Sequence, residues 1–129
     1  WTFLPSKMNK NRQVISSTLF TLDAISIMQD IDPPFVRKVY PENGGKFHYK
    51  DLRTISIIAD DYLSGLNSDE KSMSMKLDNI PVRYAFQPII KELSYYLPAP
   101  LEAGEHTMEY KISDQAGNIV SGSSTFIVD

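Results

Sequence analysis

The chain contains no cysteine, which excludes disulfides, thiolate metal sites and cysteine nucleophiles together. Histidine is nearly as scarce, with only His48 and His106 present. There is no His-Glu-x-x-His run and no Gly-x-Ser-x-Gly elbow, so zinc hydrolysis and the α/β-hydrolase arrangement have no basis here. Many serines occur, but none is marked as a strained, activated nucleophile, and the expectation is a non-enzyme. An excess of positive charge is also missing. Thirteen Lys+Arg against 16 Asp+Glu leave a net charge of −3, too little field to hold a phosphate backbone or an acidic membrane surface. Nucleic acid is therefore not an expected partner. No stretch approaches the ~18 unbroken apolar residues of a membrane span, so no membrane insertion is expected. The chain opens Trp1-Thr2-Phe3 without a basic-then-apolar leader, which reads as a piece of a longer polypeptide.

What is present is a 129-residue chain, 42% hydrophobic and 22% charged, with the composition of one globular domain. From Arg53 onward the dominant signal is a period of two. Ile55, Ile57 and Ala59 alternate with Thr54, Ser56 and Ile58, and Met73, Met75 and Leu77 stand between Ser72, Ser74, Lys76 and Asp78. The same alternation recurs in Val82, Tyr84 and Phe86, in Met108, Tyr110 and Ile112, and in Phe126 and Val128. One wet face and one dry face predict half-buried antiparallel strands. Turn residues fall between these runs: residues 60–65, Asp78-Asn79, Pro98-Ala99-Pro100 and Asp114-Gln115-Ala116-Gly117-Asn118. Their spacing is close to the ~8–12 residues of a sandwich or barrel.

The first thirty residues differ. Residues 6–13 are polar and cationic; residues 14–28 are apolar, with Ile15, Leu19, Leu22, Ile25 and Met28 fitting a helical stripe and Thr18, Phe20, Leu22 and Ala24 a strand face. Their β-branched content tips the reading towards strand. Asp30-Ile31-Asp32-Pro33-Pro34 stops either structure, because two prolines lack N–H donors and force extended backbone.

The order of landmarks carries a resemblance. Asp32-Pro33-Pro34, Val39-Tyr40-Pro41-Glu42-Asn43-Gly44, Ala59-Asp60-Asp61 before Ser64-Gly65-Leu66, Met75-Lys76-Leu77-Asp78, Leu101-Glu102-Ala103-Gly104-Glu105-His106-Thr107 and Ser113-Asp114-Gln115-Ala116-Gly117-Asn118 together resemble the bacterial immunoglobulin-like domains of secreted and surface proteins, which are similar to fibronectin type III modules. The chain lacks the Cys pair and core Trp of antibody-type domains, which points to a disulfide-free sandwich. The resemblance implies an all-β, two-sheet sandwich of about seven strands over residues 31–129, and an extension over residues 1–30 that is either an extra strand or the end of a preceding module. The expected core is Val39, Ile55, Ile57, Met73, Met75, Leu77, Tyr84, Phe86, Leu93, Tyr110, Ile112, Phe126 and Val128.

The implied function is a non-catalytic accessory or spacer module, extracellular, surface-exposed or periplasmic, whose partners are adjacent domains of the same polypeptide. The alternative is a module binding a surface glycan or protein through strand-end loops at residues 44–52 and 60–68, with Phe47, Tyr49 and Tyr62 as candidate contacts. Tyr95 and Tyr96, adjacent in one run, must point to opposite faces. His106 reads as a surface or hydrogen-bonded imidazole and His48 as a loop residue. Asp30, Asp32, Asp60, Asp61, Asp78 and Asp114 all stand at strand ends or turns, where each is expected to accept hydrogen bonds from its own turn. No cofactor is expected, with calcium at Asp30 and Asp32 as the alternative.

Overall fold

A computed structural model describes residues 4–20 and 24–129. The Trp1-Thr2-Phe3 segment and position 22 of the apolar stripe lie outside the described residues. The described part of the extension carries a short hairpin, β1 (Lys7–Asn9) and β2 (Val14–Ser16), hydrogen-bonded to neither of the other two sheets. The strand reading of residues 14–28 therefore holds only for Val14–Ser16; among the described residues after it no regular element forms before residue 35. These residues face solvent, so no sheet face rewards their β-branched side chains.

The remaining strands are β3 (Phe35–Tyr40), β4 (Lys46–Phe47), β5 (Thr54–Asp60), β6 (Met73–Leu77), β7 (Ile80–Pro81), β8 (Ala85–Gln87), β9 (Glu92–Tyr96), β10 (Gly104–Ser113) and β11 (Ile119–Val128). They form a four-stranded sheet in the order β3-β5-β9-β8 and a five-stranded sheet in the order β4-β11-β10-β6-β7. Labelled from A in chain order, these are the A-B-E-D and G-F-C sheets of an immunoglobulin-like sandwich. The strand count exceeds seven because the first strand is split and β7 is added. β3 pairs antiparallel with β5, the chain crosses at Tyr40–Pro41, which is cis, and β4 then pairs parallel with β11 in the opposite sheet.

Alternation does the sorting. Along β6 the burial runs buried, exposed, buried, exposed, buried, and Ile55, Ile57 and Ala59 of β5 are fully enclosed. The core comprises Ile55, Ile57, Met73, Met75, Leu77, Leu93, Ile112, Phe126 and Val128, as expected, and also Leu52, Ala59, Leu97 and Met108. Val39, Tyr84, Phe86 and Tyr110 are only half-buried. Tyr84 turns its hydroxyl to donate to the Met73 carbonyl at 2.9 Å. Leu52 and Leu97 flank strands and cap the core where the Leu97 amide donates to the Arg53 carbonyl at 2.9 Å. The β6–β7 reversal is a two-residue turn with Asp78 at φ 51° and Asn79 at φ 65°, the left-handed pair that a type I′ hairpin requires. Tyr95 packs against the core while Tyr96 is exposed.

On β11, Gly122 sits opposite Tyr110, whose ring fills the space a side chain would take; a Cβ there would lie 2.6 Å from Tyr110 Cζ. Gly122→Val is expected to cost about 1–3 kcal/mol by displacing that ring. Urea midpoints of Gly122→Val, Tyr110→Ala and the double variant check it. The double variant should lose less than the sum of the singles, and strict additivity would refute the packing account.

Candidate functional site

The sandwich has two ends, set by the direction of β5. At one end its last residue leads into Asp61 and the loop to Leu66, beside the Asp114–Asn118 turn, where the Gln115 amide donates to the Gly65 carbonyl at 2.9 Å. At the other end lie residues 46–52, tied to the chain's last residue by the Tyr49 amide donating to the Asp129 carbonyl at 3.1 Å. Seven residues of strand separate the two, which is about 20 Å. The loops at residues 44–52 and 60–68 therefore occupy opposite ends and do not form one surface.

At the first end Asp61 and Asp114 organise their own turns, and Asp30 accepts from the Asp32 amide at 3.3 Å. Asp61 Oδ2 accepts from the amides of Leu63 at 3.0 Å and Gly65 at 2.7 Å, and Gly65 supplies the φ of 80° that closes the loop. Asp114, with no exposed surface, accepts from the Asn118 amide at 2.8 Å and from Asn118 Nδ2 at 2.7 Å. Asn118 Nδ2 also reaches the carbonyls of Asp30 at 3.3 Å and Asp32 at 3.1 Å, which pins the extension to the sandwich. Asp30 Oδ2 accepts from the Ser64 amide at 2.9 Å. The expected turn bonds are thus present for Asp30, Asp61 and Asp114, whereas Asp78 accepts instead from the Thr107 amide at 2.8 Å on β10.

The turns also do what no single turn implies. Carboxylate oxygens of Asp30, Asp61 and Asp114, from three separate segments, all lie within 4.8 Å of one another. The Asp32 carboxylate is not among them. Ionised carboxylates this close repel one another, the repulsion being screened where Asp30 and Asp61 meet solvent. Among the described residues no Lys, Arg or His forms an ion pair with any of the three. The Asp30 pKa is held below the ordinary 3.8, first by the nearby Ser64 hydroxyl and then by backbone amides, against a partial burial that acts the other way. That hydroxyl is close enough to act on Asp30, yet Ser64 Oγ is buried and forms no well-shaped hydrogen bond with any group.

Tyr62 projects from this end, 89% exposed, with its ring stacked on Phe35 at 4.4 Å. Beside it Asp60 is bonded by Lys91 and, at 3.4 Å, by Arg37. Partial burial raises the Asp60 pKa, but the Lys91 bond, the Asp61 amide and the two cations outweigh it, so the carboxyl lies below its ordinary range.

At the opposite end Tyr49 lies beside His48 and under Lys50 Nζ, while Phe47 is a rim residue set edge-on against Tyr40 and Phe126. Of the three expected contacts, only Phe47 and Tyr49 are at the same end, and Phe47 is committed to the core. His106 Nδ1 meets Asp78 Oδ2 at 2.7 Å, Nε2 meets the Glu102 carbonyl at 2.8 Å, and the ring stacks on Phe126. Both nitrogens are engaged, so neither is free to act as a base.

Burial pulls the His106 pKa down, but the Asp78 hydrogen bond, the Glu102 carbonyl and the two nearby carboxylates together raise it above the ordinary 6.5. The folded state therefore favours the protonated ring. Its contribution to stability is complete below the unfolded pKa and is lost as pH rises through the folded pKa. Melting temperatures taken from about pH 6 to about pH 9 should fall more steeply in the parent than in His106→Gln. Parallel curves would show that the ring contributes no proton-linked stability.

No protein-family model matches the chain, and no curated protein matches it. Solved structures do. CopC from Methylosinus trichosporium OB3b is 19% identical with a TM-score of 0.58, covering 74% of this chain and 93% of its own. PcoC from Escherichia coli, described as a methionine rich copper resistance protein, is 18% identical with a TM-score of 0.60, covering 74% of this chain and 98% of its own. Dimeric latent PorU from Porphyromonas gingivalis is 13% identical with a TM-score of 0.58, and the match covers 96% of this chain but 13% of PorU. At such identities the likeness is one of fold. It corrects one expectation: the reading of no cofactor, with calcium as the sole alternative, gives way because a solved structure with this sandwich, PcoC, is described as a copper resistance protein.

Proposed function

We propose that the chain is a non-catalytic accessory module, an immunoglobulin-like sandwich over residues 31–129 preceded by a connecting extension over residues 1–30, which positions a neighbouring domain of a longer exported bacterial polypeptide. The observation that carries this reading is the PorU match. It takes in 96% of the chain, a share that residues 31–129 alone cannot supply, yet only 13% of PorU, which supports reading sandwich and extension together as a segment of a longer protein. The kinship to fibronectin type III modules and the location outside the cytoplasm belong to the same proposal.

Two details support a mechanical role. The extension is tied to the sandwich by Asn118 and Asp30, which limits the angles at the junction. The edge strand β3 carries Arg37 and Lys38 and a bulge between Val36 and Lys38, devices that discourage pairing with other chains.

Among the described residues the soft donors that copper(I) prefers are not brought together. Copper(I) takes thioether, thiolate and imidazole donors. Met73, Met75 and Met108 are sealed between the sheets, both nitrogens of His106 are engaged, and there is no cysteine. The soft donors that face solvent, Met8, Met28 and His48, stand on three separate segments. No part of the proposal depends on copper.

The test is replacement within the parent polypeptide by an unrelated sandwich of equal length. A spacer is indifferent to surface chemistry, so replacement should restore whatever deletion impairs. Failure of the replacement, with the neighbouring domain itself intact, would favour a binding module instead.

A further inference from the structure

The geometry points to a divalent metal site, made of oxygen donors, at the junction between extension and sandwich: Asp30, Asp61 and Asp114 with the hydroxyl of Ser64. This goes beyond the spacer reading and stands without it.

Turn capping explains why each carboxylate is present. It does not explain why carboxylates of three segments converge to within 4.8 Å with no cationic side chain among the described residues to balance them. Nor does it account for Ser64 Oγ. That oxygen is enclosed, the residue being 4% exposed, stands beside the Asp30 carboxylate and makes no hydrogen bond of ordinary geometry with it or any other group. A buried hydroxyl without a well-formed bond is costly, whereas one beside the Asp30 carboxylate supplies a further neutral oxygen for a cation held there.

The amide bonds already made to these carboxylates leave lone pairs available and fix their orientation, because each oxygen can accept more than one bond. An all-oxygen donor set suits hard divalent ions and offers nothing to copper(I). Since Asp30 belongs to the extension, Asp61 to the loop after β5 and Asp114 to the β10–β11 turn, a bound ion would clamp the extension onto the sandwich and stiffen the junction.

The test uses the full 129-residue chain stripped of metal. Manganese(II), magnesium or calcium is added singly, and binding is followed by melting temperature and by the electron paramagnetic resonance signal of free manganese. Saturable binding near one equivalent is expected, with a higher melting temperature and slower proteolysis of the extension. Asp30→Asn and Asp61→Asn should each weaken binding at least about tenfold, and Ser64→Ala less. Asp30 lies at the surface, so its variant is a fair test even if Asp61→Asn fails to fold. No saturable binding of any of the three ions up to about 10 mM, or binding unchanged in Asp30→Asn, would overturn the site.

Discussion

Phe126→Ala is expected to cost about 3–5 kcal/mol of folding stability, the largest effect of any single truncation considered for this chain. Phe126 has no exposed surface and lies on the inner face of β11, where its ring meets the edge of Phe47 at 6.2 Å and the face of His106 at 5.9 Å. It joins three parts of the fold: the parallel β4–β11 pair, the start of β10 and the core between the sheets. Removal leaves a cavity beside β11 and β10, which are hydrogen-bonded on both sides and close in poorly. Against a typical total of about 5–15 kcal/mol, such a loss brings the domain near the edge of folding at ambient temperature. Urea denaturation should show a much lower midpoint with an unchanged slope. A loss below about 1 kcal/mol would mean that Phe126 does not hold the sheets together.

The second large effect is expected at Asp114. Asp114→Ala removes the acceptor for the Asn118 amide and for Asn118 Nδ2, both at a place the side chain itself seals from solvent. Asn118 is partly buried, so losing the acceptor for its two donors costs about 1–3 kcal/mol each, with water recovering part of that. Relief of repulsion from Asp30 and Asp61 offsets part of this, but those two carboxylates are only partly buried and solvent screens them. A net loss of about 2–4 kcal/mol is expected, measured by urea denaturation in the presence of a chelator so that no ion contributes. The extension should also become more sensitive to protease, because Asn118 holds the carbonyls of Asp30 and Asp32. A variant as stable as the parent would show that the turn, rather than this network, holds the end of the sandwich together.

Most of the sandwich could be read from local pattern. Ile55, Ile57 and Ala59, and likewise Met73, Met75 and Leu77, alternate strictly, and a period of two assigns a face to every residue without reference to any other strand. Asp78-Asn79 announced a tight reversal because those two residue types tolerate the left-handed conformation that both adopt. Leu52 and Leu97 escaped because they flank strands rather than sit within them, and their burial depends on the end of the opposite sheet closing over them. In the extension, Val14, Ile15 and Ile25 suggested strand by type, yet a strand needs a partner and a face to cover, and among the described residues only Val14–Ser16 finds a partner, in β1.

The candidate site divides in the same way. That Asp30, Asp61 and Asp114 stand in turns was determined by sequence alone, since each is followed by residues whose amides it can cap. That their carboxylates meet was decided only by tertiary structure. The residues lie far apart in the chain, and it is the pairing of β10 with β11 and the stacking of one sheet on the other that bring three turns to one end. Asp30 and Asp32, neighbours in sequence, were the natural pair to expect, yet the fold takes Asp30 into the cluster and leaves the Asp32 carboxylate outside it. Periodicity is a property of one strand and survives in one dimension. Convergence of side chains is a property of the packed sheets, and no spacing along the chain encodes it.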